Sequence, residues 1–220
     1  MARDLFIKTS LSATTVNTLA KATRNICDLS DDQNFDIVRF LEIDVLRLIP
    51  DFYLFIEDDE AMMGSKAFVT ENSKGIVVAE SVYNDAVGGL FYARKILAHE
   101  FGHVLLHHNK GFETKHYTLS TYQKQIQKME AFHSAEWQAD TFAILLLIPP
   151  SQITAETTEA DFSKKHKMSI RQSSFILSRL KSFRKREKVP DVCLATKIID
   201  SLLQKNSHQS KNQVQISFFY

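Results

Sequence analysis

Apolar positions recur at helical spacing twice within the first fifty residues. The first stretch runs from about Ser12 to Cys27 behind a Ser/Thr-rich start. The second runs from Phe35 to Leu48 and is stopped by Ile49-Pro50, where the ring of the proline pushes its predecessor out of the helical region. The period then shortens. Phe52 to Ile56 reads as a strand, and after the acidic turn Glu57 to Glu60 the segments Lys66 to Thr70 and Gly75 to Glu80 flank Glu71-Asn72-Ser73-Lys74 as a hairpin. Helical spacing resumes near Leu90, after Gly88-Gly89, and meets stop signals at Asn109 and Gly111. A polar connector, Lys110 to Lys128, leads to a helix predicted from about Met129 to Leu147 and closed by Pro149-Pro150. Further helices are predicted at Glu159 to Lys167, Ile170 to Phe183 and Val192 to Gln204, and no repeat period is visible. The pattern is α+β and mostly helical, with a small β-sheet ahead of the helix that starts near Leu90. An N-terminal helical segment, 1–50, is expected to pack on a core spanning 51–150. A C-terminal helical segment, 151–205, and a flexible polar tail, 206–220, follow.

Composition narrows the class without naming a chemistry. With 220 residues, 44% of them hydrophobic, the chain can build a proper core, and a net charge of +1 gives no global field toward nucleic acid. The longest apolar run, Phe142 to Pro150, is too short to span a bilayer, and Met1 to Ser10 lacks the apolar centre of a signal peptide. The widely separated Cys27 and Cys193 form no C-x-x-C pair and read as free thiols, small apolar residues in a reducing compartment. A cytoplasmic protein with no membrane association is expected.

The chemistry enters with His99-Glu100-Phe101-Gly102-His103. On a helix, residues four apart share a face, so both imidazoles can reach one small cation. Glu100 lies beside that face, where its carboxylate can take a proton from water at the cation without joining the ligand set. His107 extends the stripe but lies roughly 12 Å along the axis from His99, whereas ligands of one zinc ion lie within about 4 Å of each other. The longer metzincin signature fails too, because Leu106 and Asn109 stand where it needs Gly and His. A third ligand is therefore expected from a second helix, where Glu136-Trp137-Gln138-Ala139-Asp140 offers Glu136 as the ligand. Asp140, one turn on, is expected to accept the free ring N–H of a ligating histidine. His133, Glu130 and Glu113 are weaker substitutes for the third ligand. Ala135, Ala139 and Ala143 keep one face thin enough for close approach to the histidine helix. Alone, Glu136 and Asp140 read better as a solvated face; behind an H-E-x-x-H helix they read as a ligand and its orienting partner. The expected cofactor is one Zn²⁺ per chain and the expected reaction is peptide-bond hydrolysis with Glu100 as general base. Candidates for the oxyanion donor are Tyr83, His116, Tyr117 and His133. The small sheet either simply builds core or contributes an edge strand that holds an extended peptide beside the metal.

Three ordered blocks carry a family resemblance: Ala98 to His107, Glu136-Trp137-Gln138-Ala139-Asp140-Thr141-Phe142-Ala143, and Leu145-Leu146-Leu147-Ile148-Pro149. Together they resemble the ImmA/IrrE family of metallo-endopeptidases, and Met168-Ser169 to Arg179-Leu180 resembles the helical part that follows the peptidase core there. The likeness covers roughly residues 60 to 185. It implies a zincin-like, gluzincin-type core with His99, His103 and Glu136 on zinc, and a substrate of the Xre helix-turn-helix repressor type whose cleavage relieves repression of mobile-element or stress genes. One departure is visible: an acidic residue common in the family's E-x-E-A block is Gln138 here.

A binding protein is the competing expectation. Ser163 to Lys188 is strongly basic, with Glu187 as its lone acid, and Ser169 to Leu180 has the length of the second helix of a helix-turn-helix. Under that reading segment 163–188 contacts DNA or a repressor and the zinc is structural. The bland counterpart is a solvated surface, since no aromatic or Asn/Gln base-reading pattern accompanies the charge.

Overall fold

The structure, a computed structural model, describes residues 7, 10–71, 74–107 and 130–185. These residues form seven α-helices and one three-stranded sheet, an α+β and mostly helical architecture. The predicted connector from Lys110 to Lys128, the helix from Val192 to Gln204, the tail, and the residues Glu113, His116, Tyr117 and Cys193 lie outside the described residues.

Helix α1, Ala13–Ile26, begins where the Ser12 hydroxyl accepts the Thr15 N–H and buries Val16, Leu19 and Ala20. At its other end Arg24 is fully buried and donates to the carbonyls of Leu146, Ser30 and Gln33 at 3.0, 2.6 and 2.5 Å. Carbonyl oxygens thus replace the water that the guanidinium loses. The single helix predicted over Phe35 to Leu48 is instead two pieces: α2, Ile37–Glu42, and a 3₁₀ turn, Asp44–Arg47. Ile43 leaves the helical region (φ −127°, ψ −60°), which lets the buried Asp44 turn toward Arg39, Arg47 and the Cys27 thiol. Burial first, and then Asp44, push that thiol up to about 11, so Cys27 is an inert, protonated packing residue.

Strands β1 (Tyr53–Glu57), β2 (Ala67–Val69) and β3 (Gly75–Ala79) pair in the order β1-β3-β2. The predicted hairpin is present, with Phe68 opposite Val77; the parallel pairing of β1 with β3, Tyr53 opposite Gly75, had no signal in the sequence. Ile76 and Val78 face the core while Tyr53, Phe55 and Phe68 are exposed on the other side. The Tyr53 ring covers Gly75, where a Cβ would come within 2.4 Å of it.

Helix α3, Glu80–Val87, follows β3 directly and was not predicted: it is short and has no side-chain cap to mark it. Helix α4, Phe91–Leu106, carries the H-E-x-x-H motif. Helix α5, Ala135–Leu147, starts later than the predicted Met129, because a 3₁₀ turn at Ala131–His133 comes first and Ser134 then caps α5 by accepting the Trp137 N–H. Helices α6, Glu159–Lys165, and α7, Ile170–Lys185, complete the described chain.

Among the described residues the contact between α4 and α5 is the most extensive between any two elements. A Cβ at Gly102 would lie 3.1 Å from the Ala139 Cα, 3.3 Å from its carbonyl oxygen and 3.2 Å from the Phe142 ring. Glycine on one helix and the thin alanine face on the other therefore set the spacing across which site residues meet. Phe101, Phe142, Val104 and Leu146 join a core cluster that extends from Leu11 to Leu180. Among the described residues no helix is long and apolar enough to cross a membrane.

Candidate metal centre

His99 and His103 project from adjacent turns of α4, and Glu136 meets them from the first turn of α5. The two Nε2 atoms lie 3.0 Å apart; Glu136 Oε2 is 3.3 Å from His99 Nε2, and Oε1 is 3.6 Å from His103 Nε2. The three residues lie close enough together to hold one metal ion. Zinc bonds of about 2.0–2.1 Å in a tetrahedron place neighbouring ligand atoms about 3.3–3.4 Å apart; the nearest atoms of the three side chains lie 3.0–3.6 Å apart, with Glu136 turning a different oxygen toward each imidazole. Two imidazoles and a carboxylate are also a zinc donor set that leaves a fourth position for water or substrate.

Electrostatics favour the ligand forms. Burial, ahead of the opposing pull of Glu136 and Asp140, holds His99 below the ordinary histidine value, which favours the neutral imidazole a metal requires. Glu100 is pushed up from 4.5 to about 8, first by burial and then by the charge of Glu136, against a hydrogen bond from the Val69 backbone. That partner is on strand β2. The bonds Thr70 N–H to Gly75 O (2.9 Å) and Ala79 N–H to Lys66 O (3.0 Å) set the ladder, so the amides of Ala67 and Val69 point away from β3. The outer edge of β2 thus runs beside the Glu100 carboxyl.

Asp140 does something other than expected. Its carboxylate is gripped by Lys95 from α4 and Arg179 from α7, and no described histidine ring takes it as a hydrogen-bond partner; Arg179 also donates to the Thr141 hydroxyl at 2.9 Å. Burial alone would raise Asp140, but the two cations outweigh it and hold the carboxyl below its usual range. Asp140 ties three helices together behind the triad. Lys95 precedes His99 by one helical turn, a spacing legible in the sequence, whereas Arg179 was read only as part of a basic run.

Two of the remaining candidates have hydrogen-bond partners of their own. The Tyr83 hydroxyl donates to Glu42 at 2.6 Å, and His133 Nδ1 donates to the Ile7 carbonyl at 2.8 Å. His116 and Tyr117 lie outside the described residues. His107 is not part of the triad: its Nδ1 meets His103 Nδ1 at 2.8 Å, on the far side of the ring from the Nε2 that faces His99 and Glu136. In the basic segment Lys164, Lys165, Lys167 and Arg171 are exposed, yet several of its cations serve the fold. Lys165 donates to Gln152, Lys167 to the Gly88 carbonyl and Lys181 to the Thr157 carbonyl, at 3.2, 2.9 and 3.2 Å.

Comparison of the chain with protein-family models, with curated proteins and with solved structures finds no match.

Proposed function

We propose that this chain is a zinc-dependent endopeptidase that hydrolyses a peptide bond in a protein substrate. The observation that carries the reading is the convergence of His99, His103 and Glu136 at distances short enough to share one metal ion, with the buried carboxyl of Glu100 nearby. A bound zinc ion supplies a Lewis acid that polarises a carbonyl and acidifies water. His99, His103 and Glu136 hold the ion. Glu100, whose surroundings favour holding a proton, accepts one from the attacking water and returns it to the leaving amine as the C–N bond breaks. With the Val69 amide turned to Glu100, the outward Ala67 amide and the outward carbonyls of Ala67 and Val69 offer an extended substrate one more strand position on β2, next to that carboxyl.

The substrate class follows the resemblance to ImmA/IrrE peptidases: a helix-turn-helix repressor of the Xre type. The exposed Lys164, Lys165, Lys167 and Arg171, at the turn between α6 and α7, form a basic face on which such a repressor, alone or on its DNA, can dock.

The test uses zinc-loaded protein and its Glu100→Gln variant, each incubated with a helix-turn-helix repressor of the Xre type and followed by intact mass. Fragments are expected from the parent protein. A loss of at least about 100-fold is expected for Glu100→Gln at unchanged zinc content. Cleavage unchanged in the variant removes Glu100 from its role. Repressor that stays intact with the parent protein, while its DNA complex binds the basic face, replaces the peptidase with a regulator.

A further inference from the structure

Behind His103 a chain of hydrogen bonds leads away from the triad. His103 Nδ1 lies 2.8 Å from His107 Nδ1, His107 Nε2 lies 3.1 Å from Gln138 Oε1, and Gln138 Nε2 donates to the Phe132 carbonyl at 2.7 Å. His107 is 3% exposed and Gln138 0%. Both are buried in the contact between α4 and α5.

The direction of this chain is fixed from its backbone end. A carbonyl oxygen only accepts, and the Phe132 carbonyl is itself held by the Leu11 N–H at 3.1 Å. Gln138 must therefore turn its NH₂ toward Phe132 and its oxygen toward His107; the flipped amide would set two oxygens against each other. The amide oxygen accepts, so a neutral His107 carries its ring proton on Nε2 and presents Nδ1 as an acceptor to His103. His103 Nδ1 must then be the donor. That leaves His103 Nε2 with its lone pair facing His99 and Glu136, the tautomer a metal ligand needs.

We propose that His107 and Gln138 are positioning residues that lock His103 in its Nδ1–H tautomer, relaying the polarity of the Phe132 carbonyl to the metal triad. The inference rests on the metal reading above. It also gives Gln138 a physical role. A carboxylate at 138 could still accept from His107, but it would face the Phe132 carbonyl, acceptor against acceptor, where the amide makes a bond. The neutral amide satisfies both neighbours at once. The stripe His99, His103, His107 is thus two ligands and one orienting group.

The most direct test needs no variant. In zinc-free protein labelled with ¹⁵N-histidine, long-range ¹H–¹⁵N spectra are expected to show His103 protonated on Nδ1 and bare on Nε2, and His107 the reverse. The opposite tautomer on His103 overturns the proposal. Zinc titration of His107→Phe and Gln138→Leu should show a drop in affinity of about 10–100-fold. Gln138→Glu, which keeps the acceptor for His107, should retain more affinity than Gln138→Leu. Parent-like zinc affinity in both His107→Phe and Gln138→Leu overturns it as well. A parent protein that binds no zinc at all defeats the metal reading instead, which the tautomer spectrum distinguishes.

Discussion

Glu136 and Asp140 stand one turn apart on the same face of α5, yet they have opposite surroundings. Asp140 is met by two side-chain cations, Lys95 and Arg179, which hold its charge and use it to join α4, α5 and α7. Glu136 is met by two imidazoles and lies near enough to Glu100 that its charge helps push that carboxyl up to about 8. The first arrangement is complete as a protein ion pair; the second concentrates negative charge and lone pairs around one point, which suits a divalent cation. Position on a helix face therefore does not assign a role. The charges delivered by neighbouring helices do.

The largest effect expected from this contrast concerns Glu100. Its folded value, about 8, exceeds the ordinary 4.5, so the folded protein holds an extra proton between those values. Zinc-free protein should accordingly lose stability as pH rises from about 4.5 to about 8, by at most about 5 kcal/mol at 1.36 kcal/mol per pH unit. Bound zinc favours the ionised carboxyl and should flatten the slope, and Glu100→Gln should abolish it. Urea unfolding at pH 5 and pH 8, with and without zinc, measures all three; an identical slope in Glu100→Gln contradicts the assignment.

Asp140→Ala comes next. It strands Lys95 and Arg179 in a partly buried setting and should destabilise the protein by about 2–3 kcal/mol. Zinc stoichiometry should remain one per chain. Loss of zinc with full stability would make Asp140 part of the metal site and dissolve the contrast with Glu136.

The smallest effect is steric. Gly102→Ala forces a methyl against the Ala139 backbone and should cost about 1–2 kcal/mol. By spreading α4 from α5 it should also weaken zinc binding, since His99 and His103 move relative to Glu136. Calorimetry and zinc titration on the same variant check both; stability lost with zinc affinity intact would uncouple the helix spacing from the triad.

These regions also differ in how far they could be read from sequence. His99 and His103 were legible because their relation is local, one turn of one helix. Glu136 was legible because a two-histidine helix needs a third donor and α5 offered a carboxylate on its thin face. The partners of Asp140 were not: Arg179 arrives from a helix far along the chain, and inside a basic run nothing marks a guanidinium that turns inward. Helix α3 escaped because eight residues without a capping side chain give little periodicity. Parallel pairing of β1 with β3 has no local signal, whereas the β2–β3 hairpin announces itself by its turn. His107 was placed off the metal by helix geometry, but its link through Gln138 to Phe132 required knowing how α4 and α5 cross.

Zinc titration of Glu136→Gln beside the parent protein tests the central claim most directly. The parent should take up one zinc ion per chain, and the variant, with the same fold and with Asp140 still paired to Lys95 and Arg179, should lose more than about 100-fold in affinity. Stoichiometric, parent-like zinc binding by Glu136→Gln would contradict the account.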